Sequence, residues 1–190
     1  MRSTRMIRSA TLGLLLLAAA SLRAEDKPLL RLKAFAASLG SGRTSAISIV
    51  INRWSTDEER ESLLTTLQEF GQDKLLDALM KIRPTVGYMR APNSLGYDLY
   101  YARDNQNPDG SRRIVAATNR RVAFREASSN TRSMQYQFTL IEIHLPASGK
   151  GEGKMVPAAK ISWDKDKKKL EIENYQALPV DLMSVTVEKP

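Results

Sequence analysis

The residues able to do chemistry are few. His144 is the only histidine and cysteine is absent, so this chain supplies neither a histidine-rich nor a thiolate zinc site. A Ser-His-Asp triad needs a serine on a sharp strand-to-helix turn. No serine has that context, and His144 lies inside FTLIEIHL (138–145), which reads as a strand. There it is a residue at a sheet edge or partly buried. SWDK (162–165) has the spacing of a serine-acylating Ser-x-x-Lys motif, but it ends a strand instead of opening a helix. GSGR (40–43) and GKGEG (149–153) are glycine-rich without the spacing or following helix of a phosphate loop, and read as hairpin turns. Sugar hydrolysis asks for only two carboxylates. Glu142, on the parity of His144, and Asp98, between Tyr97 and Leu99, would meet if their strands were neighbours. Surface-strand acids are more often solvated or paired with arginine.

The densest cluster is RAPNSLGYDLYYAR (90–103), with three tyrosines, one aspartate and two arginines behind a Pro-Asn-Ser-Leu-Gly turn. On an extended chain Tyr97, Leu99 and Tyr101 share one face, and Asp98, Tyr100 and Ala102 the other. The need to bury Leu99 sends Tyr97 and Tyr101 inward. Asp98 and Tyr100 then face the other side, near Arg90 and Asn93. Arg90, Asn93, Asp98 and Tyr100 are therefore the candidate ligand-binding residues, suited to a sugar, a peptide or an anionic group. No residue is assigned a catalytic or metal-ligating role, and no cofactor is expected. Arg112, Arg113, Arg120, Arg121, Arg125 and Arg132 read as a solvated face. Trp54 and Trp163 both end strands, and read as core plugs or rim rings.

The elements that must position these residues follow from periodicity. LRLKAFAASL (30–39) and TSAISIVINRW (44–54) alternate, with Leu30, Leu32, Ala34 and Ala36 on one parity of the first and Ile47, Ile49 and Ile51 on one parity of the second. Gly40 and Gly42 suit the hairpin between them. The period then changes. From Ser55 to Pro84 the pattern is helical, with Ser55 and Glu58 as a capping box and acids in the first turn. Leu63, Leu64, Leu67 and Phe70 form one stripe, Gly71 a stop, and Leu75, Leu76, Leu79, Met80 and Ile82 a second stripe ended by Pro84. These stripes need an apolar surface, and the sheet is the one available.

From Val86 the chain reads as strands: 86–91, 97–103, 112–118, 134–145, 154–163, 170–175 and 180–188, the last three as an antiparallel meander. In the longest, the apolar parity switches from Tyr136, Phe138 and Leu140 to Ile141, Ile143 and Leu145. Either a bulge or apolar cover on both faces explains this, and both place the strand centrally. The expected fold is α+β: a mostly antiparallel β-sandwich or partly open barrel, with a two-helix unit inserted after the second strand at about 55–83.

Residues 1–24 have the order of a secretory signal peptide: a basic start (Arg2, Arg5, Arg8), an apolar run from Leu12 to Ala20, and small residues before a cut after Ala24 or Ala20. That segment holds four arginines and no acid, so its removal takes the net charge from +8 to +4. What is left, 25–190, has the length of one β-rich domain. Its positive residues are interspersed with acids, which argues against a nucleic-acid partner. No other stretch is long and apolar enough to span a membrane.

INRWSTDEERESLL, VGYMRAPNSLGYDLYYAR and FTLIEIHL with GKGEGKM together resemble an uncharacterised family of secreted bacterial proteins. The resemblance covers nearly the whole mature chain and implies an exported, single-domain protein. It implies no activity, cofactor or ligand. The expected function is thus an exported, periplasmic or secreted, non-enzymatic binding or envelope-associated module, its partner a small molecule or an envelope component. The alternative is an acid/base hydrolase using Asp98, Glu142 or His144.

Overall fold

Alternation in the first two strands decides the architecture. β1 (Leu30–Ser38) and β2 (Arg43–Ile51) pair antiparallel with Leu32 opposite Ile49 and Ala34 opposite Ile47. That register puts both apolar parities on one buried face. The computed structural model describes residues 27–38, 43–119, 135–175 and 179–188. The signal-peptide segment, the glycine loop at Gly40 and Gly42, and Arg120, Arg121, Arg125 and Arg132 lie outside the described residues.

The other strands are β3 (Gly87–Arg90), β4 (Tyr97–Leu99), β5 (Tyr101–Gln106), β6 (Arg112–Asn119), β7 (Phe138–Leu145), β8 (Lys150–Asp164), β9 (Lys169–Asn174) and β10 (Val180–Val187). They form one antiparallel sheet in the order β4-β3-β2-β1-β10-β8-β7-β6-β5, with β9 also on β8. The two ends of that path, β4 and β5, are consecutive in the chain and meet at Tyr100. The sheet is therefore a nearly closed barrel. Its interior holds Leu32, Ile49, Leu99, Ile114, Ile143 and Leu182, all 2% exposed or less.

Two further devices close the seam. The Tyr100 N–H donates to Ala117 O at 3.0 Å. Ser55, just past β2, pairs with β5: its N–H donates to Ala102 O at 2.8 Å, and its hydroxyl accepts from the Ala102 N–H at 3.1 Å. Ser55 is thus committed to the barrel and does not cap the helix. That role moves one residue on. Thr56 caps α1 (Asp57–Phe70) in a reciprocal box with Glu59, because T-x-x-E fits the pattern as well as S-x-x-E.

α1 and α2 (Gln72–Leu79) pack on the outside of the barrel, as the stripes require. Leu67, Leu75 and Leu79 bury against Phe138 and Ala159, with Tyr100 in the same cluster. Gln72 pins the unit down: its side-chain carbonyl accepts from the Ile161 N–H at 2.8 Å, and its amide donates to Gln135 O at 2.6 Å. Phe70 departs from the expected stripe and is 67% exposed at the helix end.

The switch within β7 comes from cover on both faces. Phe138 and Leu140 face the helices while Ile141, Ile143 and Leu145 face the interior. The bulge in this pair belongs to β8, between Val156 and Ala159. Two expectations for β8 are corrected. GKGEG is mostly strand: Gly151 and Gly153 pair with β10, and glycine is required there because a Cβ would stand 2.0 and 2.4 Å from the β7 carbonyls of His144 and Glu142. The last three strands are also no simple meander, since β9 and β10 follow one another along the same side of β8.

Candidate functional site

Outside the barrel, the strands from β5 to β10 carry a graded surface. Cross-strand register lines up Tyr101, Ala117, Leu140 and Val156 in one row beside α1. The next row is Arg103, Val115, Glu142, Lys154 and Asp181. A third is Asn105, Arg113, His144 and Glu152. The surface passes from apolar to charged along the strand direction. α1 stands over one end, and β9, carrying Leu170 and Ile172, flanks it.

Two lobes of one groove result. The apolar lobe, about 480 Å³, lies between α1 and the β8–β9 hairpin, over Phe138, Leu140 and Trp163. The polar lobe, about 1100 Å³, lies over Arg113, Glu142 and His144. They share Arg60, Tyr101, Val115, Leu140, Leu170 and Ile172. The apolar lobe is within the roughly 300–1,000 Å³ that takes small organic ligands, and the polar lobe is slightly above it.

Electrostatics in the polar lobe are largely compensated. Arg113 grips Glu142 through two bonds of 2.9 Å, and His144 Nε2 lies 2.8 Å from the same carboxylate. The Arg113 guanidinium, with a smaller contribution from His144, holds Glu142 below the usual carboxylate range. Arg103 reaches back to Asp57 at 2.6 Å and ties β5 to the first turn of α1. Tyr101, half-buried on the groove floor, has its phenol pushed up by burial, against the opposing pull of Arg103 and Arg60.

The residues singled out in the sequence are distributed over three places. Arg90, Asp98 and Tyr100 line a shallow depression of about 470 Å³ with Tyr88 and Asn119. Arg90 stacks over the Tyr88 ring at 5.7 Å. Asn93 points into a different depression beside β1 and β2. Glu142 and His144 meet in the groove, and Asp98 does not join them. Tyr100 is on the outer face as expected, yet it is buried beneath the helix unit, with Arg83 over its ring at 5.7 Å. Tyr101 is the reverse of the expectation: it faces outward. Leu99 and Ala102 both point inward, three residues apart. The chain therefore takes one extra residue in stepping from β4 to β5 at the seam, and strict parity fails there.

Arg60, Leu170 and Ile172, which the sequence reading did not single out, line both lobes of the groove. Arg60 stands in register with Leu63, Leu64 and Leu67 on the apolar stripe of α1, an arginine in line with leucines. Leu170 and Ile172 alternate with Glu171 and Glu173, leaving two large apolar side chains 49% and 58% exposed. Trp54 packs at the rim of the interior, whereas Trp163 belongs to the outer cluster. Among the described residues there is no cluster of three or more metal-ligating side chains, and no helix is long and apolar enough to cross a membrane. No family model, no curated protein and no solved structure matches this chain.

Proposed function

We propose that this protein is an exported, non-enzymatic binding module that holds its ligand in the groove outside the barrel. The observation that carries this reading is the groove's continuity: an apolar lobe and a charged lobe share one floor and one wall. A fully packed helix–sheet interface would have covered Leu170 and Ile172. Here they line an open site instead. The layout at residues 1–24 supports export. The resemblance to a family of secreted bacterial proteins stands with it as part of the proposal.

The Glu142–His144 contact favours acid/base catalysis as the second reading. Two features weigh against it. Glu142 is already engaged by Arg113, which keeps it ionised and unable to donate a proton at neutral pH. Both Glu142 oxygens are also already bonded, Oε1 by Arg113 Nε and Oε2 by Arg113 Nη2, which lowers the carboxylate's basicity.

The test is to isolate the mature chain from its natural compartment and identify co-purifying small molecules by mass spectrometry, alongside Leu140→Trp, which fills the shared floor. A ligand present on the native chain and absent from a folded Leu140→Trp supports the groove. A ligand retained by that variant places binding elsewhere. Turnover lost in Glu142→Gln would favour the hydrolase.

A further inference from the structure

The apolar lobe is charged only at its edge, and each charged residue there is a cation: Arg60 on α1, and Lys168 and Lys169 at the β8–β9 turn. Among the described residues none of the three has an ion-pair partner. Their neighbours differ: Arg53, Arg103, Arg112 and Arg113 each hold a carboxylate. Positive charge is thus left over where the apolar surface is most open. Apart from the Tyr101 phenol, the floor offers little for a polar body to bond. β6, β7 and β8 are interior strands of the sheet, with backbone groups taken on both sides. A peptide lying there would lose the hydration of its amides with little in return. A hydrocarbon chain has no such cost.

Building on the groove as the ligand site, we infer that its apolar lobe takes a single-chain anionic amphiphile, such as a fatty carboxylate. The chain lies along Leu63, Leu67, Leu140 and Trp163, and the head group meets Arg60, Lys168 and Lys169. Leu170 and Ile172 close over the chain from β9, and their exposure falls on binding. The polar lobe then faces solvent beyond the occupied end.

Three dodecyl amphiphiles, each below its micelle concentration, test this on the mature chain: dodecanoate, dodecyl maltoside and dodecyltrimethylammonium, followed by calorimetry and by tryptophan emission in a Trp54→Phe background, where Trp163 alone reports. One dodecanoate per chain should bind saturably, about tenfold tighter than the neutral head, the scale of three solvent-screened ion pairs together. Arg60→Gln/Lys168→Gln/Lys169→Gln should erase that preference while leaving dodecyl maltoside binding unchanged. Because all three substitutions are on the surface, the variant should fold, and its melting curve checks that. Equal affinity for the three head groups, or a preference that survives the triple variant, overturns the anionic assignment. Failure of every dodecyl chain to bind overturns the amphiphile. If a co-purifying compound of other chemistry is still lost in Leu140→Trp, the groove remains the site and this inference alone falls.

Discussion

The barrel interior and the surface beneath α1 are both apolar, but they are finished differently. Inside, small and branched aliphatic side chains fill the space together: Ala34, Ala36, Ala102 and Ala116 beside Leu32, Ile114 and Leu182. Each is nearly sealed from water. Outside, Leu67, Leu75, Leu79 and Phe138 are sealed, whereas Leu63, Leu140, Ile161 and Trp163 are only partly covered. The interior has one task, to bury area at about 25 cal/mol per Å². The outer surface is covered by a two-helix unit too short to roof it, and the uncovered part is bordered by cations. On the proposed reading, stability resides mostly in the first region and recognition in the second.

The largest effect should come from crowding the β2–β3 pair. Gly87 pairs with Ile51, and a Cβ there would stand 2.0 Å from the Val50 carbonyl. Gly87→Ala should cost about 4 kcal/mol or more, the range of severe backbone clashes, and show as loss of the cooperative urea transition. Next, Leu182→Ala should cost about 2–5 kcal/mol, while Leu63→Ala, only partly buried on the groove wall, should cost less than about 1.5 kcal/mol. Equal urea midpoints for these two variants would erase the contrast between the regions.

The tyrosines give a finer comparison. Tyr100→Ala removes a ring 8% exposed under the helix unit and should cost about 3 kcal/mol. Tyr101→Ala should cost clearly less and should alter groove binding. Smaller again is Ser55→Ala, expected to cost about 1–3 kcal/mol by orphaning the Ala102 N–H inside the seam.

These comparisons also show how much the sequence discloses. The helix unit was legible because its 3.6-residue stripes follow a run of period two. The barrel's inner face was legible in Leu30 to Ala36 and Ile47 to Ile51. Closure was not: it rests on Tyr100 breaking parity and on Ser55 pairing with Ala102, 47 positions away. The groove was the least legible. Its floor and walls come from α1 and strands β5 to β10, and only the register makes neighbours of Arg113 and Glu142. Arg60 and the exposed pair Leu170 and Ile172 did leave a local signal, an arginine on a leucine stripe and two aliphatics alternating with acids.

Acid should act on the two regions unequally and gently. Glu59, held down chiefly by its bond to Arg53, and Glu142, held down chiefly by Arg113, both have folded-state values below the usual carboxylate range. A depressed carboxylate contributes stability that is present above its unfolded value, about 4.3 for glutamate, and is lost as pH falls through the folded value. Both groups are in the helix unit or on the groove floor. β1 itself carries no carboxylate, and on the inward side of β5 the Asp104 side chain, 8% exposed, is paired with Arg112. Below about pH 4.3, amides of α1 should therefore lose hydrogen-exchange protection before those of β1. Simultaneous loss in both would join the two regions into one cooperative unit.

The central claim is that the open apolar surface outside the barrel, and not the interior, receives the ligand. Its most direct test is the binding of an anilinonaphthalene sulfonate dye, a fluorescent reporter of exposed apolar surface, to the native chain, to Leu140→Trp and to Leu182→Ala. The account predicts one saturable site on the native chain, lost in Leu140→Trp and unchanged in Leu182→Ala. Binding that survives the filled groove, or that grows with the interior cavity of Leu182→Ala, would contradict it.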